Sequence, residues 1–407
     1  MSCTIWVASE LYYPELTSTG FFVTGIAERL ARYRRIEVLC GQPTYALRGT
    51  RSPRTDVRNG VRIWRARSTT FDKNRLAGRA INTLTLTISL FLHAVRRMRK
   101  GDQLLVVTNP PLLPFAMVLA AKMRRVESVV LIHDVYPDVL VATGIASNGS
   151  WLVRAYSHMA RWLYQKADHI VVLGRDMREL IVRRFDGASE KISVIPNWAD
   201  TSRIRPAPTK GESLRKRLGL EGKFVVQHLG NMGRTHGIES MADAAEFLRE
   251  YPDIHFMAVG TGFQKERLLK RIADTSLTNV SVLPPCSDDE LEAYLNACDI
   301  ALISFRSGMA GVSVPSRMYN VMAAGKPIIA VADAECEIAR VVSEEAIGTV
   351  VPPEDSRELA AAILAARDNP SRLHDFGRRA RQVAEDKYSA DAVLGHYLTL
   401  FRCDLAK

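Results

Sequence analysis

A basic side chain stands at the expected start of a short helix, directly after a loop of small residues. Arg317 follows Ser316, an N-cap residue whose hydroxyl is expected to accept a main-chain amide of the first helical turn. Gly325 suits the left-handed position at the end of that helix. A cation at a helix start faces the positive end of the helix dipole, at a cost of about 0.3 to 1 kcal/mol, and an anion would offset that cost. The pattern fits a phosphate site, and it fits equally an ordinary loop with a solvated arginine.

A second candidate phosphate site lies in the loop 230–237, between a predicted strand (224–229) and a predicted helix (238–250). The loop contains two glycines, Gly230 and Gly233, which free the main chain to approach a ligand. It also contains Arg234, which brings a positive charge to the start of the helix. The loop lacks the G-x-G-x-x-G spacing of a dinucleotide site. Gly20, before a helix predicted from residue 21, suggests the same close approach to a ligand, although a loop glycine is more often only a turn.

Polar side chains also gather where the apolar strand 128–132 ends. His133, Asp134, Tyr136 and Asp138 follow it within six positions, and the carboxyl ends of strands are where doubly wound sheets place chemistry. His133 could donate to a sugar hydroxyl or a phosphate, and Asp134 could orient it or accept a hydroxyl proton. In the alternative interpretation His133 is a satisfied core residue and Asp134 is a helix cap.

Strands and helices alternate on both sides of a segment rich in proline, glycine and charge, 201–218, which reads as an interdomain connection. This order predicts an α/β protein with two parallel-sheet domains that face a cleft, an arrangement suited to two substrates. We place the first domain at 1–200 and the second at 201–387. A last helix, from residue 390 to 401, is expected to pack back on the first domain, so that residues 388–407 belong to it.

The length and composition of the chain are those of a globular protein. The 407 residues exceed one ordinary core, and a hydrophobic share of 47% excludes a disordered protein. Six scattered cysteines show no metal-ligand spacing, so no metal or cofactor site is predicted. The start of the chain shows no signal peptide, from which a cytoplasmic location is expected.

The net charge of +11 is concentrated in one region. Residues 29–100 hold 18 Lys and Arg against three acidic residues, a local balance of +15. This region includes 81–95, an apolar stretch too short to span a bilayer, in which Leu84, Ile88 and Leu92 fall on one helical stripe. Alternation along the same stretch also fits a strand. We expect region 75–100 to contact an anionic membrane surface; a core helix with a solvated basic end is the commoner arrangement, and nucleic acid is the competing explanation of the charge.

Six motifs resemble those of one enzyme family. They are YYPELTSTGFF (12–22), HDVYPD (133–138), VIPNWAD (194–200), HLGNMGRTHGIES (228–240), VGTGFQKERL (259–268) and VPSRMYNVMAAGKPIIA (314–330). Together they resemble the retaining GT-B glycosyltransferases of family four, the group 1 glycosyl transferases, in particular those that build exopolysaccharide, O-antigen or colanic acid. The resemblance covers nearly the whole chain.

The resemblance implies roles for individual residues. Those expected to bind the donor nucleotide sugar are Gly20, Gly230, Asn231, Gly233, Arg234, Gly262, Pro284, Ser316, Arg317, Tyr319 and Asn320. His133 and Asp134 would be catalytic, and Tyr13, Thr19, Tyr136 and Asp138 would lie on the acceptor side. Such enzymes generally need no metal in the sugar site.

The chain departs from the family pattern at two places. The usual cations of an R-L-x-x-x-K-G pattern are absent from 231–237, and Arg234 and Arg317 are candidates to replace them. The usual pair of glutamates falls on Val312 and Asn320.

These observations lead to one expected function and two alternatives. The resemblance implies transfer of a hexosyl or N-acetylhexosaminyl group, with retention, from a nucleotide diphosphate sugar to a polyprenyl diphosphate-linked saccharide at the inner face of the plasma membrane. The alternatives are a UDP-sugar epimerase on the same fold and a nucleic-acid-binding module, for which the sequence contains no motif.

Overall fold

The chain forms two compact α/β units in a computed structural model that describes residues 3–15, 17–43, 51–71, 76–185 and 189–403, except for the side chain of Leu76. The first unit comprises Met1–Pro137, Asn148–Pro196 and Val393–Lys407. The second comprises Asp138–Ser147 and Asn197–Ala392. Parts of the predicted basic region (44–50 and 72–75) and the end of the predicted C-terminal helix segment (404–407) lie outside the described residues.

The first unit is built on an eight-stranded sheet. Its strands are β1 (Thr4–Ser9), β2 (Arg35–Cys40), β3 (Thr55–Arg58), β4 (Val61–Arg65), β5 (Gln103–Val107), β6 (Glu127–Ile132), β7 (His169–Val172) and β8 (Ile192–Val194). They lie in the order β3-β4-β2-β1-β5-β6-β7-β8, and all pair in parallel except β3 with β4. The helices are α1 (Ser18–Leu30), α2 (Leu76–Arg97), α3 (Leu113–Arg124), α5 (Trp151–Lys166) and α6 (Arg175–Arg184); α4 (Asp138–Ala142) precedes α5 in the chain.

The second unit is built on a six-stranded, fully parallel sheet. Its strands are β9 (Phe224–Leu229), β10 (Ile254–Val259), β11 (Val280–Leu283), β12 (Ile300–Ser304), β13 (Ile328–Val331) and β14 (Gly348–Val351). The helices are α7 (Pro208–Leu218), α8 (Ile238–Phe247), α9 (Lys265–Thr275), α10 (Leu291–Asn296), α11 (Arg317–Ala323), α12 (Glu337–Glu344), α13 (Ser356–Arg367) and α14 (Pro370–Asp386). The last described helix, α15 (Ala390–Leu400), belongs to the first unit from Val393 onward. The prediction of an α/β protein with two largely parallel sheets is confirmed.

Each sheet has a point where the direction of winding reverses. In the second unit the order is β11-β10-β9-β12-β13-β14, so the chain leaves β9 toward one edge and β12 toward the other. In the first unit the corresponding neighbours are β1 and β5. Loops that follow such strands diverge and leave a crevice at the carboxyl ends, where α/β folds bind ligands. The loop after β9 and the segment from β12 to α11 therefore start at one crevice.

The helix predicted to begin after Gly20 begins earlier, at Ser18. The Thr17 side chain caps it by accepting the Gly20 amide at 3.4 Å. A Cβ on Gly20 would lie 2.3 Å from the carbonyl oxygen of Glu15. The close approach that the sequence suggested at this glycine is thus made by the chain's own backbone.

The interpretation of segment 201–218 as an interdomain connection is wrong for its second half, because α7 occupies residues 208–218. Pro208 stands in the first turn, where its missing N–H costs nothing, and Gly219 closes the helix in the left-handed conformation at φ 68°. Gly211 lets α7 approach α10, since a Cβ there would lie 2.3 Å from the carbonyl oxygen of Asn296. Proline and glycine, which commonly mark a linker, here mark the start of a helix, its contact with α10 and its end.

The ambiguous apolar stretch is helical, within the 22-residue α2. Leu86, Leu90 and Ala94 are buried against the unit. A second apolar stripe is exposed on the same helix, formed by Ile81, Leu84, Ile88 and Leu92. Among the described helices, none combines the length and apolarity needed to cross a bilayer.

Other boundaries differ in small ways. The helix predicted over 238–250 ends at Phe247, and the strand predicted over 128–132 begins at Glu127. The antiparallel β3 was not predicted, because Thr55–Arg58 carries only one apolar residue and is exposed or half-buried throughout.

Gly211 and Gly395 provide a matched test of the α7 contact, because both lie inside helices. A Cβ on Gly395 meets nothing within 4 Å, whereas one on Gly211 meets backbone. We expect Gly395→Ala to stabilise the protein by up to about 1 kcal/mol through helix propensity, and Gly211→Ala to destabilise it by about 1 to 3 kcal/mol through overpacking. Thermal unfolding of both variants checks this, and equal melting temperatures would contradict the close contact.

Candidate functional site

Arg317, the first residue of α11, is held in the crevice of the second unit by three hydrogen bonds to neutral groups. One terminal nitrogen lies against the ring of His228 in β9, 2.7 Å from Nε2 and 3.4 Å from Nδ1. The other donates to the carbonyl oxygen of Asn231 at 2.8 Å and lies 2.8 Å from Nε2 of His236. The guanidinium thus joins α11 to β9 and to the loop that follows β9.

The positive charge of Arg317 is not balanced by a carboxylate. Within the described part of the chain, no Asp or Glu forms an ion pair with it. Burial lowers the pKa of Arg317 to about 10, which leaves it charged at neutral pH. Burial, followed by the charge of Arg317, lowers the pKa of both His228 and His236 well below the usual histidine range. The site therefore carries a net positive charge that an anion could neutralise.

Glycines allow the loop after β9 to pack against its neighbours. A Cβ on Gly230 would touch the Arg317 guanidinium at 3.5 Å, and one on Gly260 would lie 2.0 Å from the Gly230 carbonyl oxygen. Gly262, expected to contact the nucleoside, has φ 147° and would meet the Met232 carbonyl oxygen at 2.5 Å. The space beside Gly260 and Gly262 is therefore filled by the 230–232 backbone.

The same loop presents main-chain donors. For the amides of Asn231, Gly233 and Arg234, the described residues supply no hydrogen-bond acceptor. By contrast, the Met232 amide donates to Thr261 and the His236 amide to Gly233. These three amides belong to the loop in which the Asn231 carbonyl oxygen accepts a hydrogen bond from Arg317. Main-chain donors beside a cation are the features expected of the predicted anion site.

Arg234 is placed differently from Arg317. Its guanidinium lies over the ring of Phe263, 3.3 Å from the centroid, and its side chain is exposed. Phe263 is itself 50% exposed. Arg234 thus rests in a cation–π contact at the rim, and of the two candidate cations Arg317 is the one that the fold holds rigidly.

Three other predicted donor residues around α11 have mixed placements. Ser316 has helical backbone angles and makes no side-chain capping hydrogen bond, so the predicted cap is wrong. α11 has only seven residues, so its dipole contributes little. Tyr319 is 1% exposed and packs on Tyr388, as a core residue, while Asn320 is half-buried on the second turn. Pro284 is exposed after β11.

The first unit has its own polar cluster, at the end of β6. His133 is buried, its amide donates to Thr108 at 3.0 Å, and its Nε2 has no partner among the described residues. Burial lowers the pKa of His133 to about 4 and raises that of Asp134 to about 6. A neutral imidazole beside a carboxylate of raised pKa can exchange hydrogen bonds with hydroxyl groups near neutral pH.

The predicted acceptor-side residues are spread more widely. Tyr136 stacks on Tyr156 at 5.6 Å, and burial together with the Asp134 carboxylate raises its pKa. Tyr13 lies under the guanidinium of Arg58, at 3.6 Å. Thr19 is half-buried in the first turn of α1, with Gly20 next to it. Asp138 opens α4, which falls in the other compact unit.

Sequence reasoning missed His228 as a site residue and named His236 only as a loop position. The signal existed for His228, which is the next-to-last residue of the largely apolar strand β9. Its contact with Arg317, 89 residues away, could not be read from spacing. Among the described residues, no group of three or more His, Cys, Asp or Glu is arranged to hold a metal ion.

Comparison with known proteins identifies the family. Residues 211–383 match the model of "Glycosyl transferases group 1", and residues 19–198 match that of "Glycosyl transferase 4-like domain". WbjE of Pseudomonas aeruginosa, named as a probable glycosyltransferase, is 31% identical over 78% of this chain and 78% of its own. The chain belongs to the group 1 glycosyltransferases. It is an enzyme that transfers a sugar from a nucleotide sugar.

More distant relatives agree with this assignment. WcaI of Escherichia coli K12, whose name assigns it to colanic acid biosynthesis, is 26% identical and covers 96% of the enzyme and 98% of WcaI. Among solved structures, HepE of Anabaena in complex with UDP-glucose superposes with a TM-score of 0.74 at 18% identity, over 98% of this chain and 99% of HepE. WaaG, described as a lipopolysaccharide glycosyltransferase, gives 0.72 at 14% identity, over 97% and 99%. These structures show the GT-B fold.

The raised pKa of Asp134 makes a prediction about stability. Since its folded-state pKa, about 6, lies above its ordinary value, ionisation costs the folded state up to about 2 to 3 kcal/mol above that pH. Asp134→Asn should therefore stabilise the enzyme by up to that amount at about pH 8, with a gain that vanishes at about pH 4. Denaturant unfolding at the two pH values measures the difference.

Asp168 supplies a control of opposite sign. Burial would raise the pKa of Asp168, but hydrogen bonds from Lys122 and Ser128 lower it. Asp168→Asn should therefore destabilise at about pH 8, and the loss should shrink as the pH falls toward about 3. If Asp134→Asn destabilises the enzyme at about pH 8, as Asp168→Asn is expected to, then the Asp134 carboxylate is not desolvated.

Proposed function

We propose that the enzyme transfers a hexosyl or N-acetylhexosaminyl group from a nucleotide diphosphate sugar to a lipid-linked saccharide, a polyprenyl diphosphate acceptor, in bacterial surface polysaccharide synthesis, with retention of configuration. The second unit binds the donor and the first unit binds the acceptor. Support comes from the WcaI name, from the HepE complex with UDP-glucose and from the motifs of the chain.

The observation that carries the proposal is the uncompensated charge of Arg317. Three neutral acceptors fix its guanidinium where two diverging loops leave the sheet. When the bond to the sugar breaks, negative charge develops on the departing diphosphate, and a preorganised cation with main-chain amides stabilises that charge without rearrangement. Gly230, Asn231, Gly233 and Ser316 contribute backbone at this place, and Arg234 can leave the Phe263 ring to approach from the rim.

The acceptor hydroxyl must lose a proton during transfer. In a retaining reaction the departing phosphate oxygen accepts that proton on the same face of the sugar, so a strong protein base is not required. His133, whose Nε2 lacks a protein partner in the described residues, contacts the transferred sugar. Asp134 orients the imidazole or accepts a hydrogen bond from a hydroxyl.

Membrane contact belongs to this proposal, with the enzyme peripheral on the inner face of the plasma membrane. Ile81, Leu84, Ile88 and Leu92 follow one another at helical spacing on the outer side of α2 and are 41–51% exposed. Exposed cations flank this apolar stripe: Arg79, Arg96, Arg99 and Lys100. An apolar stripe between cations suits an interface with anionic lipid.

Substitutions at Arg317 test the donor role. Arg317→Lys keeps a charge but loses the planar fork, and Arg317→Ala loses both; we expect kcat/KM for the donor to fall by about 100-fold or more in each. Arg267→Ala, which removes an exposed cation from α9, should change it by less than about twofold. Initial rates at limiting and saturating donor measure the effect, and wild-type kinetics in the Arg317 variants would rule out the role.

Incubation of the donor alone tests the epimerase alternative, since a changed sugar without acceptor would favour it.

Vesicle binding tests the stripe on α2. Leu84→Ser combined with Ile88→Ser should weaken sedimentation with phosphatidylglycerol vesicles by about tenfold or more, because two side chains no longer enter the interface. Phe247→Ser removes an equally exposed apolar side chain from α8 and should have no effect. Equal weakening in both, or a shift with RNA in place of vesicles, would count against the membrane assignment.

A further inference from the structure

Two imidazoles, those of His228 and His236, hold the guanidinium of Arg317 from different segments of the second unit. One Arg317 nitrogen lies 2.8 Å from Nε2 of His236, and the other lies against the ring of His228, 2.7 Å from Nε2 and 3.4 Å from Nδ1. Arginine nitrogens only donate hydrogen bonds, so Nε2 of His236 must be an acceptor. The His236 ring therefore carries its proton on Nδ1, and it is not an imidazolium. Burial and contact with a guanidinium both favour the neutral state of the two histidines.

The two rings are themselves fixed. His228 lies inside β9 and is 0% exposed, and its ring meets the backbone of Asn231 and Leu302. His236 is 8% exposed, its carbonyl oxygen accepts a hydrogen bond from Nε2 of Gln264 at 3.1 Å, and its ring packs on Phe305. Neither acceptor can turn away without disturbing the core of the unit.

Among the described residues, no charge other than that of Arg317 acts on these rings. The titratable groups that act on them from β9, from the loop before α8 and from α11 are His228, His236 and Arg317 themselves. A carboxylate in either histidine position would hold the guanidinium as firmly, through a charge-assisted hydrogen bond. It would also cancel the charge that an anionic ligand must find. Neutral acceptors hold the arginine and leave its charge available.

We propose that His228 and His236 are positioning residues that orient Arg317 toward the donor diphosphate, and that their neutrality is the property on which donor affinity depends. This inference rests on the proposed role of the second unit as the donor-binding unit. It adds that the acceptors must be uncharged, a requirement that a purely structural role would not impose.

A series at His236 separates positioning from folding. His236→Gln keeps an uncharged acceptor, His236→Leu removes the acceptor, and His236→Glu provides an acceptor that carries a negative charge. We expect the affinity for the donor to stay within about threefold in the Gln variant and to fall by about tenfold or more in the Leu and Glu variants. The Glu variant should melt no lower than the Leu variant, because glutamate can pair with Arg317.

The measurements are calorimetric titration and thermal unfolding of the full chain. Wild type is titrated with UDP-glucose, GDP-mannose and dTDP-glucose, and the tightest binder is used throughout. His374→Glu, on the exposed face of α14, is the control for adding a negative charge and should leave affinity unchanged. If the Leu variant does not fold, the comparison of Gln with Glu decides, and His228→Gln repeats the test at the second ring.

The outcomes distinguish the two proposals. If wild type binds none of the three nucleotide sugars, or if Arg317→Ala binds as wild type does, the proposed donor site fails and this inference fails with it. If Arg317→Ala loses binding while His236→Glu binds within about threefold of wild type, the donor site stands and the requirement for neutral acceptors is overturned. A loss in the Gln variant equal to that in the Leu variant would likewise overturn it.

Discussion

The second unit holds the cation of Arg317 in place in its crevice without neutralising it. Proteins usually fix an arginine with a carboxylate, which also cancels its charge. Here two imidazole nitrogens and one carbonyl oxygen take that place. Burial keeps the imidazoles neutral, and it leaves the guanidinium charged because the pKa of arginine begins so high. One set of contacts thereby provides both rigidity and a net positive charge.

The sheet topology explains why these groups meet. β9 and β12 are neighbours from which the chain departs in opposite directions, so the loop after one and the helix after the other start at the same edge. Glycine makes the crowding possible, since a side chain at Gly230 or Gly260 would collide with the guanidinium or with backbone. Residues far apart in sequence are thus brought to hydrogen-bonding distance by strand order, and close backbone approach completes the site.

Much of the fold could be predicted because its elements carry strong local signals. The bounds of β9 match the strand predicted over 224–229, since it is a largely apolar run that Gly230 follows. α7 could not be separated from a linker, because Pro208 and Gly219 mark the ends of a helix with the same residue types that interrupt one. At the site, Arg317 was predicted from its place at a helix start. Sequence spacing does not encode contacts across the sheet, and these decide that Ser316 makes no capping hydrogen bond, that His228 contacts Arg317 and that Gly262 lies against Met232.

The most direct test of the account is a crystal structure of the enzyme with the nucleoside diphosphate of its donor. The account predicts a phosphate oxygen within hydrogen-bond distance, about 2.7–3.2 Å, of the Arg317 guanidinium, with the bonds to Nε2 of His228 and His236 still in place. A diphosphate bound away from Arg317, or an Arg317 that leaves both imidazoles to pair with a carboxylate, would contradict it.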